Sequence, residues 1–325
     1  MWFFVGVDHK IVYMKIVLID DNHAVLEEML AAAGHYLVRG YDMTVEACKK
    51  EMVDAEGLVV RSRFPLDAAT LAPLTALKVI GRVGAGMENI DLTYCHSRAI
   101  RVVAAPEGNR DAVGEHALGM LLMLLHRLRI ADNEVRRGTW LRAENRGTEL
   151  GMKTVGLIGY GHMGSSFAEK LTGFGCRVMA YDKYKTGFGN EWVEEVSLDV
   201  LQRNADIISL HVPLTDETRY MVNAAFLAHC KPAVWLINTA RGTCLNTEDV
   251  VNAMKAGQVQ GVCLDVLEYE KKSFESLDPT TLPEPMQYLI QSDKAILAPH
   301  IAGWTHESNY KMSQLVANRL LQAIA

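Results

Sequence analysis

Short apolar runs alternate with longer stretches of helical periodicity along the chain. A short apolar run bounded by glycine or polar residues is typical of a strand in a parallel sheet, and the helical stretches supply the crossovers that parallel strands need. This alternation predicts an α/β protein with two doubly wound parallel-sheet (Rossmann-like) domains and a cleft between them. The predicted strands are residues 15–19, 36–38, 57–60, 78–80 and 101–104 in the first domain and residues 154–158, 178–181, 207–210, 235–238, 262–264 and 295–298 in the second.

Three further segments complete the predicted organisation. Residues 111–129 are apolar nearly all round, which predicts a long helix buried between domains or subunits. Residues 271–293 contain three prolines and predict a surface loop. A final helix over residues 308–325 is expected to return to the first domain. We therefore predict a discontinuous domain of residues 1–110 plus 301–325, and a continuous domain of residues 111–300.

The strand predicted at residues 154–158 leads into a nucleotide-binding pattern. It is followed by Gly159, Gly161 and Gly164, which form GxGxxG, and then by a helical stretch and a second strand. The three glycines permit a tight turn, close approach of the backbone to a pyrophosphate, and close packing of helix on strand. The pyrophosphate would then lie at the helix N-terminus. A glycine-rich turn in an ordinary α/β protein is the alternative, which the complete strand, helix and strand context disfavours.

The second strand of this unit ends at Asp182. A carboxylate at this position would accept hydrogen bonds from the adenosine ribose and would repel a 2′-phosphate, which favours NAD over NADP. The neighbouring Lys183 and Lys185 weaken that preference, because either ammonium group could turn toward a phosphate.

Composition narrows the classes of function. The chain has 325 residues, of which 49% are hydrophobic. Its net charge of −6 offers no basic field for nucleic acid. No apolar run reaches the roughly 18 residues that a membrane span needs. The six cysteines have no CxxC or metal-ligand spacing, which favours reduced thiols, a cytoplasmic protein and no metal site. Residues 1–13 do not resemble a signal peptide, and Met14 is a second plausible start.

Polar residues follow the last strands of the second domain, where ligands of open α/β sheets gather. Arg241 follows the strand at residues 235–238 and could bind a carboxylate through its planar guanidinium group. Asp265 and Glu270 follow the next strand, and His300 follows the last one. Taken singly, each has an ordinary explanation, since arginines and acids often cap loops and most histidines are structural.

Together these motifs resemble the D-isomer-specific 2-hydroxyacid dehydrogenases in order and approximate spacing, over nearly the whole chain from Met14. The resemblance extends to further segments at residues 84–91, 113–117, 147–150, 211–215 and 299–303. It implies NAD-dependent hydride transfer at C2 of a small 2-hydroxy acid. His300 would be the general acid/base, Glu270 would stabilise its imidazolium form, and Arg241 would bind the substrate carboxylate and polarise the carbonyl group.

The resemblance also implies which residues bind the cofactor and the substrate carboxylate. Asp265 would hold the nicotinamide carboxamide, and the backbone amides of Ala85 and Gly86 would complete the carboxylate site. The substrate would belong to the discontinuous domain and NAD to the continuous one. The residues assigned to NAD are Gly159, Gly161, His162, Met163, Gly164, Asp182, Thr239, Ala240, Asp265 and Gly303.

Arg61 and Arg63 indicate an anion larger than one carboxylate. Their segment is similar to one that contacts phosphoglycerate in some 3-phosphoglycerate dehydrogenases, enzymes of serine biosynthesis. A strand-end pair making salt bridges is the structural alternative. The segment at residues 300–304 resembles that of erythronate-4-phosphate dehydrogenases more than that of many phosphoglycerate dehydrogenases. We therefore expect a phosphorylated 2-hydroxy or 2-keto acid, with glyoxylate or hydroxypyruvate reduction as the unphosphorylated alternative.

Other features leave choices open. Lys271 stands where proline commonly follows the family's glutamate, so Glu268 competes with Glu270 for that role. The chain stops soon after the final helix, and we expect no C-terminal regulatory domain. An NAD-sensing scaffold resembling the C-terminal-binding corepressors is a minor alternative, without a sequence feature in its favour. The apolar helix at residues 111–129 predicts a homodimer.

Overall fold

The computed structural model describes residues 13–270 and 282–324. They form two compact units. The first contains the described residues up to Asn109 together with those from His306 onward, and the second is Arg110–Thr305. The sequence predicted breaks after residues 110 and 300. Residues 1–12 lie outside the described part of the chain.

The first unit is built on a five-stranded parallel sheet of order β2-β1-β3-β4-β5. The strand order reverses between β1 and β3, so the carboxyl ends of these two strands form the switch point where ligands bind in such sheets. Its elements are β1 Lys15–Leu18, α1 Ala24–Ala32, β2 Tyr36–Arg39, α2 Val45–Met52, β3 Gly57–Val60, α3 Ala68–Leu71, β4 Val79–Arg82, α4 Leu92–Ser97 and β5 Arg101–Ala104.

The second unit contains a seven-stranded parallel sheet of order β12-β11-β10-β9-β6-β7-β8. The switch point lies between β6 and β9. Its elements are α5 Arg110–Leu125, α6 Leu128–Arg136, β6 Thr154–Ile158, α7 His162–Leu171, β7 Arg177–Tyr181, β8 Glu194–Glu195, α8 Leu198–Asn204, β9 Ile207–Leu210, α9 Ala224–Ala228, β10 Val234–Asn238, α10 Thr247–Lys255, β11 Val259–Leu264, α11 Glu284–Gln291 and β12 Ala295–Leu297.

The last helix, α12 His306–Ile324, belongs to the first unit. Its buried face joins the core on one side of the first sheet. Gly81 in β4 permits this packing, because a Cβ atom there would lie 2.8 Å from Cγ1 of Val316. Each sheet has an apolar core on both faces, as crossover helices require. The prediction of two doubly wound parallel sheets is confirmed. None of the described helices is long and apolar enough to cross a membrane.

The long helix predicted over residues 111–129 is shorter than expected. It ends at Leu125, because Arg127 adopts left-handed backbone angles (φ 54°, ψ 27°) from which α6 starts in a new direction. Its buried face packs on α7 within the same unit. The contact is close because Gly114 has no side chain, and a Cβ atom there would lie 2.8 Å from Ser166 Oγ.

The predicted surface loop at residues 271–293 contains a helix, which corrects that prediction for its described part. Helix α11 begins at Glu284 with Pro283 as its N-cap and Pro285 in its first turn. Proline is accommodated there because the first turn of a helix has no intrahelical partner for the missing N–H group. Residues 271–281, and with them Lys271, lie outside the described residues. The two-residue strand β8 was not predicted.

Candidate active site

The GxGxxG turn lies at the switch point of the second sheet. Gly159 leaves β6 with a φ of 94° and donates its N–H to Tyr181 O at 2.8 Å. The start of α7 presses on this turn, since a Cβ atom on Gly164 would lie 2.1 Å from Gly159 O. Only glycine fits at this contact. The first turn of α7 is thereby held at the carboxyl end of β6.

The N-terminus of α7 fits a diphosphate. Gly161 is its N-cap and makes no side-chain capping bond. A Cβ atom on Gly161 would meet nothing within 4 Å, so space is open on this side of the turn. His162 is exposed and Met163 half-buried at the first two helical positions. Backbone N–H groups at an uncapped helix start, together with the helix dipole, bind phosphate oxygens.

Asp182 is held rigidly at the end of β7. Its Oδ2 atom accepts a hydrogen bond from Tyr160 N at 2.8 Å, and Oδ1 accepts from Tyr184 N at 2.9 Å and Lys185 N at 3.1 Å. The two neighbouring lysines have partners in their own surroundings. Lys183 Nζ lies 2.5 Å from Glu217 Oε2, and Lys185 Nζ donates to Tyr160 O at 3.1 Å.

Asn238 shapes the turn after β10 that carries the predicted residues 239–241. Its Oδ1 atom accepts from Ala240 N, and its Nδ2 atom donates to Arg241 O, both at 3.0 Å. Arg241 Nη1 donates to Ala240 O at 2.6 Å. The Thr239 Oγ1 atom is buried and has no hydrogen-bond partner within the described residues. A buried hydroxyl group of this kind suits a site that a polar ligand completes.

The turns after β10 and β11 are in direct backbone contact. A Cβ atom on Gly242 would lie 2.1 Å from Leu267 O, so glycine is required where the two segments touch. Two glutamates follow this contact and have different partners. Glu268 accepts hydrogen bonds from Tyr220 Oη and Thr247 N, both at 2.9 Å. The Glu270 carboxylate instead faces the imidazole of His300, with Oε1 3.2 Å from Nδ1.

His300 has a left-handed backbone conformation with φ 58°, which is uncommon for a residue with a side chain. The surrounding hydrogen bonds hold it there. His300 N donates to Asp265 O at 2.7 Å, while Ile301 N and Ala302 N donate to the two carboxylate oxygens of Asp265 at 2.8 and 2.9 Å. Gly303 follows directly. Asp265 thus organises the turn that carries His300.

Asp265 is only 1% exposed. Burial opposes its ionisation, but contacts with His116 and with the N–H groups of Ala302 and Ile301 outweigh this effect and lower the pKa of Asp265. His116 lies on α5, and its Nε2 atom is 3.3 Å from Asp265 Oδ1. His116 was not among the predicted site residues. The only sequence signal was its place in the segment at residues 113–117, which identified a helix start and no partner.

A second carboxylate, Asp20, organises the switch point of the first sheet. It follows β1 and accepts hydrogen bonds from the N–H groups of Arg61 at 2.6 Å, Ser62 at 3.4 Å and Arg63 at 3.1 Å. This turn after β3 is also tied to the segment after β4, because Asn89 Nδ2 donates to Arg61 O at 3.0 Å. Sequence reasoning did not identify Asp20 as part of this site.

The two predicted substrate arginines have different surroundings. The Arg63 guanidinium group donates to Ile19 O at 3.2 Å, Gly40 O at 2.7 Å and Met43 O, so it joins the ends of neighbouring segments. The Arg61 guanidinium group has a long contact of 3.4 Å from Nη1 to Asp21 O. These Arg63 bonds go to backbone carbonyl oxygens and not to the acids of the expected salt bridges. Ala85 and Gly86 are half-buried in the segment after β4, on the same sheet edge as Arg61.

No group of three or more histidine, cysteine or acidic side chains in residues 13–270 and 282–324 could hold a metal ion. His211, which follows β9 across the switch point from Gly159, is half-buried, and its Nδ1 atom is buried without a hydrogen-bond partner among the described residues. Burial lowers its pKa to about 4. Its Nε2 atom lies 2.9 Å from Ser209 Oγ, and its ring contacts Phe167.

Comparison with known proteins identifies the family. Residues 118–302 match the family described as D-isomer specific 2-hydroxyacid dehydrogenase, NAD binding domain. The chain belongs to this family. The resemblance inferred from the sequence motifs is confirmed, as is NAD as the cofactor. The diphosphate-binding turn and Asp182 are the parts of the second unit that fit NAD.

Relatives with different substrates are about equally similar. The D-3-phosphoglycerate dehydrogenase of Archaeoglobus fulgidus is 34% identical over 86% of this chain and 51% of that protein. The glyoxylate reductase of Thermofilum pendens is 32% identical over 96% of this chain and 91% of that protein. A D-lactate dehydrogenase of Aquifex aeolicus, solved with NAD and lactic acid, is 30% identical over 94% of both chains, with a TM-score of 0.81. The chain spans about half the length of the phosphoglycerate dehydrogenases it matches.

Proposed function

We propose that the protein catalyses reversible hydride transfer between NAD and C2 of a D-2-hydroxy acid. The observation that carries this proposal is the Glu270 to His300 contact of 3.2 Å in the unit that also holds the NAD-binding turn. An imidazole paired with a carboxylate is a proton donor and acceptor suited to interconverting a hydroxyl and a carbonyl group. Family membership supports the same reaction.

NAD, when bound, supplies or accepts the hydride. His300 takes the hydroxyl proton during oxidation and returns it during reduction. Because its Nδ1 atom faces Glu270, we assign the proton exchange to Nε2. Glu270 stabilises the imidazolium form, and Arg241 binds the substrate carboxylate and stabilises the negative charge that develops on the reacting oxygen. We also propose that Asp265 binds the carboxamide group of the nicotinamide.

For the substrate we propose 3-phosphoglycerate and 3-phosphohydroxypyruvate, which would give the protein a role in serine biosynthesis. Arg61 is the residue we assign to the phosphate, because it lies at the switch point of the first sheet and arginine matches phosphate geometry. Reduction of glyoxylate or hydroxypyruvate is a second candidate. The observation in its favour is the glyoxylate reductase relative, which matches over 91% of its own length.

NADH oxidation with 3-phosphohydroxypyruvate, hydroxypyruvate and glyoxylate tests the substrate. Arg61→Gln and Arg63→Gln are a matched pair, since both remove a guanidinium group from the same turn. We expect Arg61→Gln to raise KM for the phosphorylated acid by about 10- to 100-fold, with a small effect on hydroxypyruvate. Arg63→Gln should instead lower the melting temperature. Equal effects of Arg61→Gln on both acids, or better wild-type turnover of the unphosphorylated acids, would favour the second candidate.

We further propose that the protein is a cytoplasmic homodimer. The segment from α5 to residue 141 exposes large apolar side chains, and such patches favour association. They are Met123, Leu128, Val135, Trp140 and Leu141. All six cysteines are free, as suits a reducing compartment. We expect sedimentation at dimer mass at micromolar concentration, and at monomer mass for Val135→Asp with Trp140→Glu. Monomer mass for the wild type would contradict the dimer.

A further inference from the structure

We infer that His116 is a positioning residue that acts on the catalytic His300 through Asp265. The inference rests on the proposed function and deepens it. His116 lies on α5, Asp265 follows β11, and His300 follows β12, so three elements of the second unit meet at one carboxylate. The effect of His116 on His300 passes through Asp265.

The conformation of His300 depends on its neighbours. A φ of 58° costs a residue with a Cβ atom free energy, so surrounding contacts must maintain it. Asp265 supplies them. Its carbonyl oxygen accepts His300 N, and its carboxylate accepts the next two N–H groups along the chain.

The Asp265 carboxylate needs more than the N–H groups of Ile301 and Ala302. It is 1% exposed, and an ionised carboxylate is costly to bury unless its oxygens are well satisfied. The His116 Nε2 atom lies 3.3 Å from Oδ1 of this carboxylate. An N–H group or a positive charge at this position stabilises the ionised form of Asp265. It thereby also stabilises the hydrogen bonds from the N–H groups of residues 301 and 302.

His116 is well placed to hold the Asp265 carboxylate in a fixed position. It is 23% exposed at the side chain and lies in the second turn of α5. The adjoining turn of α5 packs tightly on α7 at Gly114, which fixes the height of His116 relative to the sheet. Loss of the His116 nitrogen should therefore loosen the His300 turn while the NAD-binding turn at the start of α7 stays in place.

The test compares His116→Asn with His116→Gln. Both side chains are polar amides, but only the Gln nitrogen reaches the position of the imidazole Nε2 atom. His229→Asn is the control, because His229 is exposed at the end of α9 and its Nδ1 atom lies 2.8 Å from Ala225 O, away from Asp265. The measurements are kcat and KM, NADH affinity by fluorescence, and amide hydrogen exchange at Ile301 and Ala302.

For His116→Asn we expect kcat to fall by about 10- to 100-fold, because one charge-assisted contact is lost. NADH affinity should stay within about threefold of wild type. Exchange at Ile301 and Ala302 should accelerate, while His116→Gln and His229→Asn stay near wild type. Unchanged exchange in His116→Asn, or equal kcat losses in the Asn and Gln variants, would overturn the inference. Amide exchange does not need turnover, so it still decides the role of His116 if the wild type reduces no 2-keto acid and the proposed function fails.

Discussion

At the scale of single residues, one carboxylate after a strand organises each candidate loop. Asp20 collects three N–H groups of the turn that carries Arg61, and Asp265 collects two from the turn that carries His300. Each carboxylate thereby fixes the backbone from which a functional side chain extends. Both roles depend on partners far away along the chain, so sequence patterns did not indicate the role of Asp20 and suggested only a cofactor contact for Asp265.

The role of His300 is tested best by His300→Asn. Asparagine tolerates left-handed backbone angles better than alanine, so this variant removes the imidazole with the least disturbance of the turn. We expect kcat to fall by about 10²- to 10⁴-fold, the usual contribution of a general acid/base, with NADH affinity retained. Stopped-flow turnover and NADH fluorescence titration measure the two effects. Loss of NADH affinity in parallel with kcat would argue against the assignment.

Asp182 should set the cofactor preference. Replacement by alanine removes a fixed negative charge at the ribose position, so we expect the ratio of kcat/KM for NADPH to that for NADH to rise by about tenfold. Lys183 and Lys185 are engaged with Glu217 and Tyr160 O, which limits the gain. Steady-state kinetics with both cofactors provide the measurement. An unchanged ratio would mean that Asp182 does not face the ribose.

At the scale of elements, the glycines of the β6–α7 unit have separable functions. Gly164→Ala places a Cβ atom 2.1 Å from Gly159 O, so we expect the free energy of unfolding to fall by about 1–3 kcal/mol or more. Gly161→Ala meets no neighbour and should leave stability nearly unchanged while weakening NADH binding, because the diphosphate needs that space.

Gly173→Ala is the matched control for both variants, since a Cβ atom there also meets nothing within 4 Å and it lies away from the turn. Denaturant unfolding and NADH titration on the three variants separate packing from cofactor binding. If Gly161→Ala bound NADH as well as Gly173→Ala does, the diphosphate could not approach the backbone at Gly161.

The elements also show how far local patterns could be interpreted. Predicted strands such as residues 57–60 and 101–104 coincide with β3 and β5, because each contains a pair of β-branched valines typical of strands. The end of α5 was predicted four residues too late, since Leu128 continues the helical spacing of Leu124 and Leu125 and the left-handed conformation of Arg127 has no sequence signature. Helix α11 was missed because prolines indicate a loop and a first helical turn equally well.

At the scale of the whole molecule, stability should depend on the protonation of His211. Burial lowers its pKa to about 4, below the value of about 6.5 in the unfolded chain. The unfolded state then binds more protons as the pH falls, so the stabilisation is fully present above pH 6.5 and is lost progressively toward pH 4. Between pH 7 and pH 5 this histidine should cost about 2 kcal/mol of the free energy of unfolding.

Denaturant unfolding at the two pH values, for wild type and His211→Gln, measures this contribution. The difference in free energy between pH 7 and pH 5 should be smaller in the variant, whatever its stability at pH 7. Equal pH dependence in the two proteins would mean that His211 titrates normally in the folded state.

The sequence by itself determined the alternation of strands and helices, the GxGxxG turn with Asp182, and the family that these and the later motifs identify. All of these are local patterns, because the residues of each motif lie within one element or one turn. Their order along the chain is therefore enough to identify them. Only the tertiary structure decided that Glu270 rather than Glu268 faces His300, that Arg63 binds backbone carbonyls, and that His116 lies against Asp265. Those contacts join segments from different strands and helices, and packing of the whole unit, not spacing along the chain, brings them within a few ångströms of one another.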